Sequence, residues 1–183
     1  EEIQKRQSFM EGLQQFAQKM LLVSSVAEVS QLTQTAVEEI LKAKVAVYIG
    51  DVSNISSGAE QYINPEVKSW CLHSGITVDE DEGREKIISV TYQPIKQEIN
   101  VIGVLIVIDT DGSLASLGKR EILGMAANLV SMTVTRMKTL ESEQLAKLLI
   151  EKEQLKNAIL SSLSHDVRTP LTAMIANAES LLV

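Results

Sequence analysis

The chain has 183 residues and a formal net charge of −7, and 45% of its residues are hydrophobic but only 3% aromatic. This length favours one domain, or one domain with an appendage, and the hydrophobic content is ample for a packed core. An acidic chain without a basic stripe is a poor candidate for binding nucleic acid, where affinity comes largely from neutralising phosphates, and for a basic helix on a membrane surface.

Two amphipathic helices are predicted at the start of the chain. Apolar residues recur at helical spacing over residues 9–21 and again over residues 29–41. Ser25 and Glu28 lie where the second helix should begin, in the order that is typical of a helix start. The first part of the chain therefore predicts a pair of helices that bury one face each.

Strands and loops are predicted to alternate in the middle of the chain. Residues 45–49 are apolar and predict a buried strand that ends at Gly50, followed by a Ser- and Asn-rich loop over residues 53–58. Pro65 opens a short helix that stops near Gly75, because proline is common at a first helical position. Residues 79–83 then predict an acidic loop.

Two further strands are predicted close together, over residues 87–93 and 101–109. The second is almost entirely β-branched or leucine, which indicates a central strand buried on both faces. Residues 97–100 predict a hairpin connection between them, and Asp111 with Gly112 should end the last strand.

This order of elements predicts an α+β fold, because strands and helices do not alternate strictly as in a doubly wound parallel sheet. An antiparallel sheet with flanking helices fits better. The order resembles a GAF domain, a small ligand-binding or signalling module, over roughly residues 9–135. We assign residues 1–135 to this GAF-like sensor domain, whose ligand the sequence leaves unknown.

A long helix is predicted over residues 119–163, which contain no proline and no glycine after Gly124. Such length indicates a coiled coil or a dimer helix. Four apolar residues have the spacing of a heptad seam, namely Leu145, Leu148, Leu155 and Ile159. Lys152 fills the remaining position of that seam. We expect a parallel homodimer through this signalling helix, with a stutter near its end. The alternative is one amphipathic helix lying on its own domain.

Residues 164–171, SHDVRTPL, form the most specific string of the chain, at the start of a predicted further helix. His165 lies two residues, about 200° around the helix, from the apolar face that begins at Val167. It therefore points away from that face, on the side of Arg168, Thr169 and Thr172. Asp166 can hold the proton of one ring nitrogen, which leaves the other free as a nucleophile.

Pro170 removes an intrahelical hydrogen bond about one turn beyond His165, so we expect a bend there.

The string resembles the H-box of sensor histidine kinases: His, then Asp or Glu, two variable positions, Thr or Asn, Pro and a hydrophobe. Residues 165–171 fit every position. The resemblance implies that His165 is phosphorylated by ATP and passes the phosphoryl group to an Asp of a response regulator. It further implies that Asp166 is the general base, that Thr169 positions a water during dephosphorylation, and that residues 164–183 begin the dimerisation and phosphoacceptor domain.

The resemblance also implies an ATP-binding domain, which binds ATP and Mg²⁺. No glycine follows Gly124, so no phosphate-cradling loop lies beyond the H-box. We therefore expect the chain to be a piece of a longer protein, and we expect this piece alone neither to bind ATP nor to phosphorylate itself.

Residues 70–75, WCLHSG, together with the following loop and strand resemble the GAF region of Kdp-type potassium-sensor kinases, although the acidic residues 79–82 depart from that group.

Three other features are better explained by structure than by a binding site. Cys71 and His73 invite comparison with a bilin attachment site or a metal site, but Leu72 separates them, and Cys71 is better explained as core. The acidic run 79–82 can attract a cation but is expected to be a solvated loop. A single cysteine excludes an internal disulfide framework and fits a reducing compartment.

No apolar run is long enough to span a bilayer, so we expect a cytoplasmic portion whose membrane attachment, if any, lies in segments absent here. Two functional alternatives stay open: a non-enzymatic phosphotransfer scaffold, and a dimeric GAF-type ligand-binding regulator.

Overall fold

The computed structural model describes residues 2–82, 88–110 and 119–180. It divides into two compact units, Glu1–Met137 and Lys138–Val183. The described residues form a short 3₁₀ turn at Glu60–Tyr62 and the following helices and strands: α1 (Glu2–Met20), α2 (Val26–Leu41), β1 (Lys44–Ile49), β2 (Val52–Ile55), α3 (Pro65–Ser74), β3 (Val78–Glu82), β4 (Ile88–Gln97), β5 (Asn100–Asp109) and α4 (Lys119–Ser180).

The first unit is built on a five-stranded sheet of order β2-β1-β5-β4-β3. Every pair of neighbouring strands is antiparallel. Strand β5 lies at the centre, and its residues from Val104 to Ile108 are fully buried. This confirms the α+β fold and the doubly buried central strand predicted from the run of β-branched residues.

The two faces of the sheet carry separate apolar cores, because successive side chains of a strand point to opposite sides. On one face α1, α2 and the first turns of α4 pack together, with Phe16, Val37 and Leu123 among the buried side chains. On the other face α3 packs through Cys71 against a set that includes Tyr92 and Ile106. The sheet therefore separates the core of α1, α2 and α4 from the core of α3.

Capping residues define the ends of the helices where the sequence predicted them. The Ser25 side chain accepts a hydrogen bond from the Glu28 backbone N–H at 3.2 Å, which caps α2. Asn64 caps α3 in the same way, with Pro65 in the first helical position. Gly75 ends α3 with a φ of +65°, in the left-handed region that glycine adopts without steric cost.

Two segments predicted as loops are edge strands. The first is β2, which pairs with β1 through a tight turn at Gly50-Asp51, where Ile49 faces Val52. The second is β3, which pairs with β4 and contains the acidic residues 79–82. Both segments have low strand propensity, but backbone pairing with a neighbouring strand makes them extended. Charged residues on an edge strand also hinder its pairing with another molecule.

The hairpin between β4 and β5 is confirmed, with Gln97 opposite Asn100 and only Glu98 and Ile99 in the turn. Both strands are longer than predicted by pattern alone. Ile87, predicted to start β4, and Asp111 with Gly112, predicted to end β5, lie outside the described residues.

Helix α4 begins at Lys119, as predicted, but continues without interruption to Ser180. The prediction of a separate helix that opens near Ser164 is therefore wrong. Good helix-forming residues on both sides of Ser164 allow one helix to continue through it. Within the second unit, the residues described form this single helix.

Candidate functional site

The H-box lies on the second unit's part of α4. Its apolar residues remain half exposed, with Val167 at 52% and Leu171 at 51% of their full accessibility. The same is true of the predicted heptad residues, since Leu155 is 62% and Ile159 57% exposed. A lone helix of this kind exposes an apolar stripe that its own unit does not cover.

His165 and Asp166 form the chemical centre of the H-box. Their side chains are 81% and 73% exposed, and the His165 Nδ1 lies 3.5 Å from the Asp166 Oδ1. A carboxylate beside Nδ1 favours the ring proton on that nitrogen. The lone pair then lies on Nε2, and an exposed nucleophilic nitrogen is what a phosphoryl acceptor requires.

Thr169 and Pro170 follow within the next turn. The Thr169 hydroxyl donates a hydrogen bond to the His165 carbonyl oxygen at 3.1 Å. Pro170 is inside the helix and has no N–H to donate to the Asp166 carbonyl oxygen one turn back. The structure therefore places all four predicted site residues within less than two turns of α4. The hydrogen bond that Pro170 cannot make weakens the helix between Asp166 and Pro170.

The structure places Cys71 and His73 in different surroundings. Cys71 is fully buried, its Sγ lies 3.8 Å from the Tyr92 carbonyl oxygen, and burial raises the pKa of its thiol to about 11. His73 is exposed, with Nδ1 2.7 Å from the Ser69 carbonyl oxygen of its own helix. The interpretation of Cys71 as core is confirmed.

Asp79 and Glu80 lie on strand β3, so the prediction of a loop is wrong here, and their carboxylates are engaged by neighbouring side chains. Asp79 accepts hydrogen bonds from the Thr91 hydroxyl at 2.7 Å and from Arg120 of α4 at 3.1 Å. Glu80 accepts from the Tyr92 hydroxyl at 3.0 Å and from the Asn64 amide at 3.2 Å. The sequence indicates a helix start at Asn64-Pro65. It does not indicate that Asn64 contacts Glu80 and Tyr92, which lie 16 and 28 residues further along the chain.

The Tyr92 hydroxyl connects three elements, since it also accepts the Asn64 backbone N–H at 2.9 Å. We expect Tyr92→Phe to lower the free energy of unfolding by about 1–2 kcal/mol, because two partly buried groups lose a hydrogen-bond partner. Urea denaturation of the whole chain measures this loss. Tyr62→Phe, on the same face of the sheet, is the control and should change stability by less than about 0.5 kcal/mol. Equal stability of parent and Tyr92→Phe would contradict the role of this hydroxyl.

The described residues contain neither a candidate membrane span nor a cluster of metal ligands. Within residues 2–82, 88–110 and 119–180, no helix combines the length and apolar content needed to cross a membrane. The described side chains also contain no group of three or more His, Cys, Asp or Glu arranged to hold a metal ion.

Comparison with known proteins gives matches in sequence and in structure. The sensor protein KdpD of Escherichia coli K12 is 32% identical over 120 residues, which is 63% of this chain but 13% of KdpD. The crystal structure of the GAF domain of the E. coli potassium sensor histidine kinase KdpD superimposes with a TM-score of 0.55 at 14% identity, over 73% of this chain and 97% of that domain. Free methionine-R-sulfoxide reductase from Neisseria meningitidis superimposes with a TM-score of 0.56 at 15% identity, over 72% of this chain and 91% of the reductase. No protein-family model matches the chain.

The antiparallel sheet with its flanking helices therefore defines a GAF domain. Since enzymes other than kinases share this fold, the fold alone does not assign an activity. The sequence similarity is more particular, because the matched part of the chain resembles KdpD sensor proteins and so supports a GAF domain of a KdpD-like sensor kinase. The match spans only 13% of the length of the E. coli KdpD and 10% of that of the Clostridium acetobutylicum KdpD.

Proposed function

We propose that this chain is the sensory part of a two-component histidine kinase and that His165 is its phosphoacceptor. The observation that supports this most directly is the exposed His165 with Asp166 at its Nδ1. The fit of residues 165–171 to the H-box and the similarity to KdpD sensor proteins point to the same activity.

In the proposed reaction the Nε2 lone pair of His165 attacks the γ-phosphorus of ATP. An N–P bond forms while the bond to the bridging oxygen breaks, and ADP leaves with that electron pair. Asp166 accepts the Nδ1 proton, so that the phosphorylated imidazole ends neutral. A carboxylate oxygen of a response-regulator Asp then attacks the phosphorus and the N–P bond breaks. The ring keeps the electron pair of that bond while Asp166 returns the proton to Nδ1, so that a neutral imidazole leaves.

Thr169 and Pro170 have supporting roles in this proposal. The Thr169 hydroxyl lies one turn from His165 on the same side of α4, where it can orient a water when the regulator is dephosphorylated. Pro170 weakens the helix next to His165 and thereby permits the bend that lets another domain approach.

An ATP-binding domain outside this chain supplies ATP in the proposed reaction, together with Mg²⁺, which neutralises phosphate charge. The GAF domain of a potassium sensor histidine kinase shares this fold, which supports potassium sensing as the role of the full protein. We place that protein's sensory part in the cytoplasm as part of the same proposal. The GAF ligand is unassigned.

The proposed active form is a parallel homodimer through α4. Leu145, Leu148, Leu155 and Ile159 are each between 57% and 62% exposed, and their heptad spacing fits a second copy of the same helix. Two such helices, continued by the H-box segment, match the way histidine kinase dimerisation domains assemble into a four-helix bundle.

A phosphorylation assay in trans tests the proposal. The chain is mixed with a separately produced ATP-binding domain of a KdpD protein and with ATP labelled in the γ-phosphate. We expect acid-labile label on the parent and at least about a hundredfold less on His165→Gln, because glutamine has no nucleophilic ring nitrogen.

The chain offers a matched control, since it contains two histidines. His73→Gln removes the other exposed imidazole and should label like the parent. Label that survives in His165→Gln but disappears in His73→Gln would overturn the assignment. Absence of label from all forms, with a kinase domain that is active on its own KdpD, would favour a GAF-type regulator.

A further inference from the structure

Arg168 is the isolated cation of the H-box region. Between Lys156 and the end of the chain, Arg168 is the sole lysine or arginine, although Asp166 and Glu179 add negative charge to the same stretch. Lys156 itself lies nine residues before His165 and pairs with Glu153 at 3.4 Å. A negative group placed on His165 therefore has one basic side chain of its own helix within reach.

The helix places that cation next to the imidazole. Arg168 follows His165 by three residues, so the two side chains lie about 60° apart around the axis and are neighbours on the helix surface. Both side chains are exposed. Asp166 lies two residues before Arg168, a spacing at which side chains do not face each other, and the Asp166 carboxylate lies beside the His165 Nδ1.

The two threonine hydroxyl groups that follow His165 already have partners within the helix. The Thr169 hydroxyl donates to the His165 carbonyl oxygen, and the Thr172 hydroxyl donates to the Arg168 carbonyl oxygen at 2.9 Å. The guanidinium of Arg168 thus provides the strongest donors beside His165. Its planar set of N–H groups matches the oxygens of a phosphoryl group. A phosphoryl group carries a negative charge of roughly two units, which a guanidinium can pair with.

We propose that Arg168 binds the phosphoryl group of phosphorylated His165 and slows its loss to water. This inference rests on the proposed function of His165. In hydrolysis a water oxygen attacks the phosphorus and the N–P bond breaks, so that the imidazole takes up a proton and inorganic phosphate leaves. Pairing with Arg168 holds negative charge on the phosphoryl oxygens and so opposes the departure of the group.

The test uses chemical phosphorylation, so that no kinase domain is needed. In the whole chain with His73→Gln, the His165 imidazole displaces ammonia from phosphoramidate and forms phosphohistidine. Its decay after removal of the reagent is followed by ³¹P NMR. We expect Arg168→Gln to shorten the half-life about fivefold, a modest effect because the site is exposed.

Two variants and a salt series separate phosphoryl binding from a merely structural role. Arg168→Lys keeps the charge but loses the bidentate geometry, so its half-life should lie between those of the parent and Arg168→Gln. Lys156→Gln removes a distant cation and should decay like the parent. The difference between the parent and Arg168→Gln should shrink in about 1 M salt, where charges are screened over roughly 3 Å.

Equal half-lives for the parent and Arg168→Gln at low salt would overturn the proposal for Arg168 and leave the phosphoacceptor assignment intact. A failure of the assay in trans, with chemical phosphorylation still showing the fivefold difference, would instead overturn the kinase proposal and leave Arg168 as a phosphoryl-binding residue.

Discussion

Replacing Gly103 by alanine is expected to lower the free energy of unfolding of the GAF domain by about 3 kcal/mol. Gly103 lies in the central strand β5, opposite Ile49 of β1 and Ile95 of β4. A methyl group there would overlap the Tyr48 carbonyl oxygen and would come within 3.1 Å of the Ile49 Cα. These are backbone atoms of a paired strand, which cannot rotate away as the end of a flexible side chain can.

Urea denaturation followed by the fluorescence of Trp70, the single tryptophan, measures this loss. Gly124→Ala is the matched control, because a methyl group at Gly124 would meet no atom within 4 Å apart from the neighbouring backbone of α4 itself. Alanine is the better helix former, so this control should raise stability by about 0.5–1 kcal/mol. Equal losses for the two variants would show that the close approach of β1 and β5 is not what requires glycine at position 103.

Introducing aspartate at Leu155 is expected to raise the dissociation constant of the proposed homodimer at least about a hundredfold. Leu155 is a heptad residue that is 62% exposed in the single chain, and a parallel partner would bring two such carboxylates together in an apolar seam. Burying an unpaired charge is costly, and two like charges repel each other. Analytical ultracentrifugation of the whole chain over a range of concentrations gives the dissociation constant.

Asn157→Asp supplies the control for charge. Asn157 lies two residues from Leu155, about 200° around the helix, and is exposed. The substitution adds the same single negative charge with almost no change in shape, so the dimer should dissociate as the parent does. If Leu155→Asp dimerises as tightly as Asn157→Asp, the heptad seam is not the interface.

The fold was predictable wherever a local pattern was strong. The β-branched run of β5 and the Ser25 cap of α2 identified their elements correctly. The edge strands β2 and β3 were not predictable, because their serine, asparagine and acidic residues disfavour strands and only pairing with β1 and β4 makes them extended.

The same distinction separates the H-box from the contacts that hold the fold together. His165, Asp166, Thr169 and Pro170 lie in consecutive turns of one helix, so spacing alone predicts their juxtaposition. The contact between Asp79 and Arg120 joins residues 41 positions apart. No periodicity in the chain contains that information, because it depends on how α4 packs beside β3 and β4.

The division of the first unit into two cores has a consequence for how such a protein can evolve. Substitutions among residues such as Cys71 and Tyr92 alter the α3 side of the sheet, while Phe16 and Leu123 pack on the other side. Because the strands alternate their side chains, a lineage can exchange one layer for new chemistry while the other stays unchanged. The α3 side of the domain can in this way change without rebuilding the packing of α1, α2 and α4 on the other side.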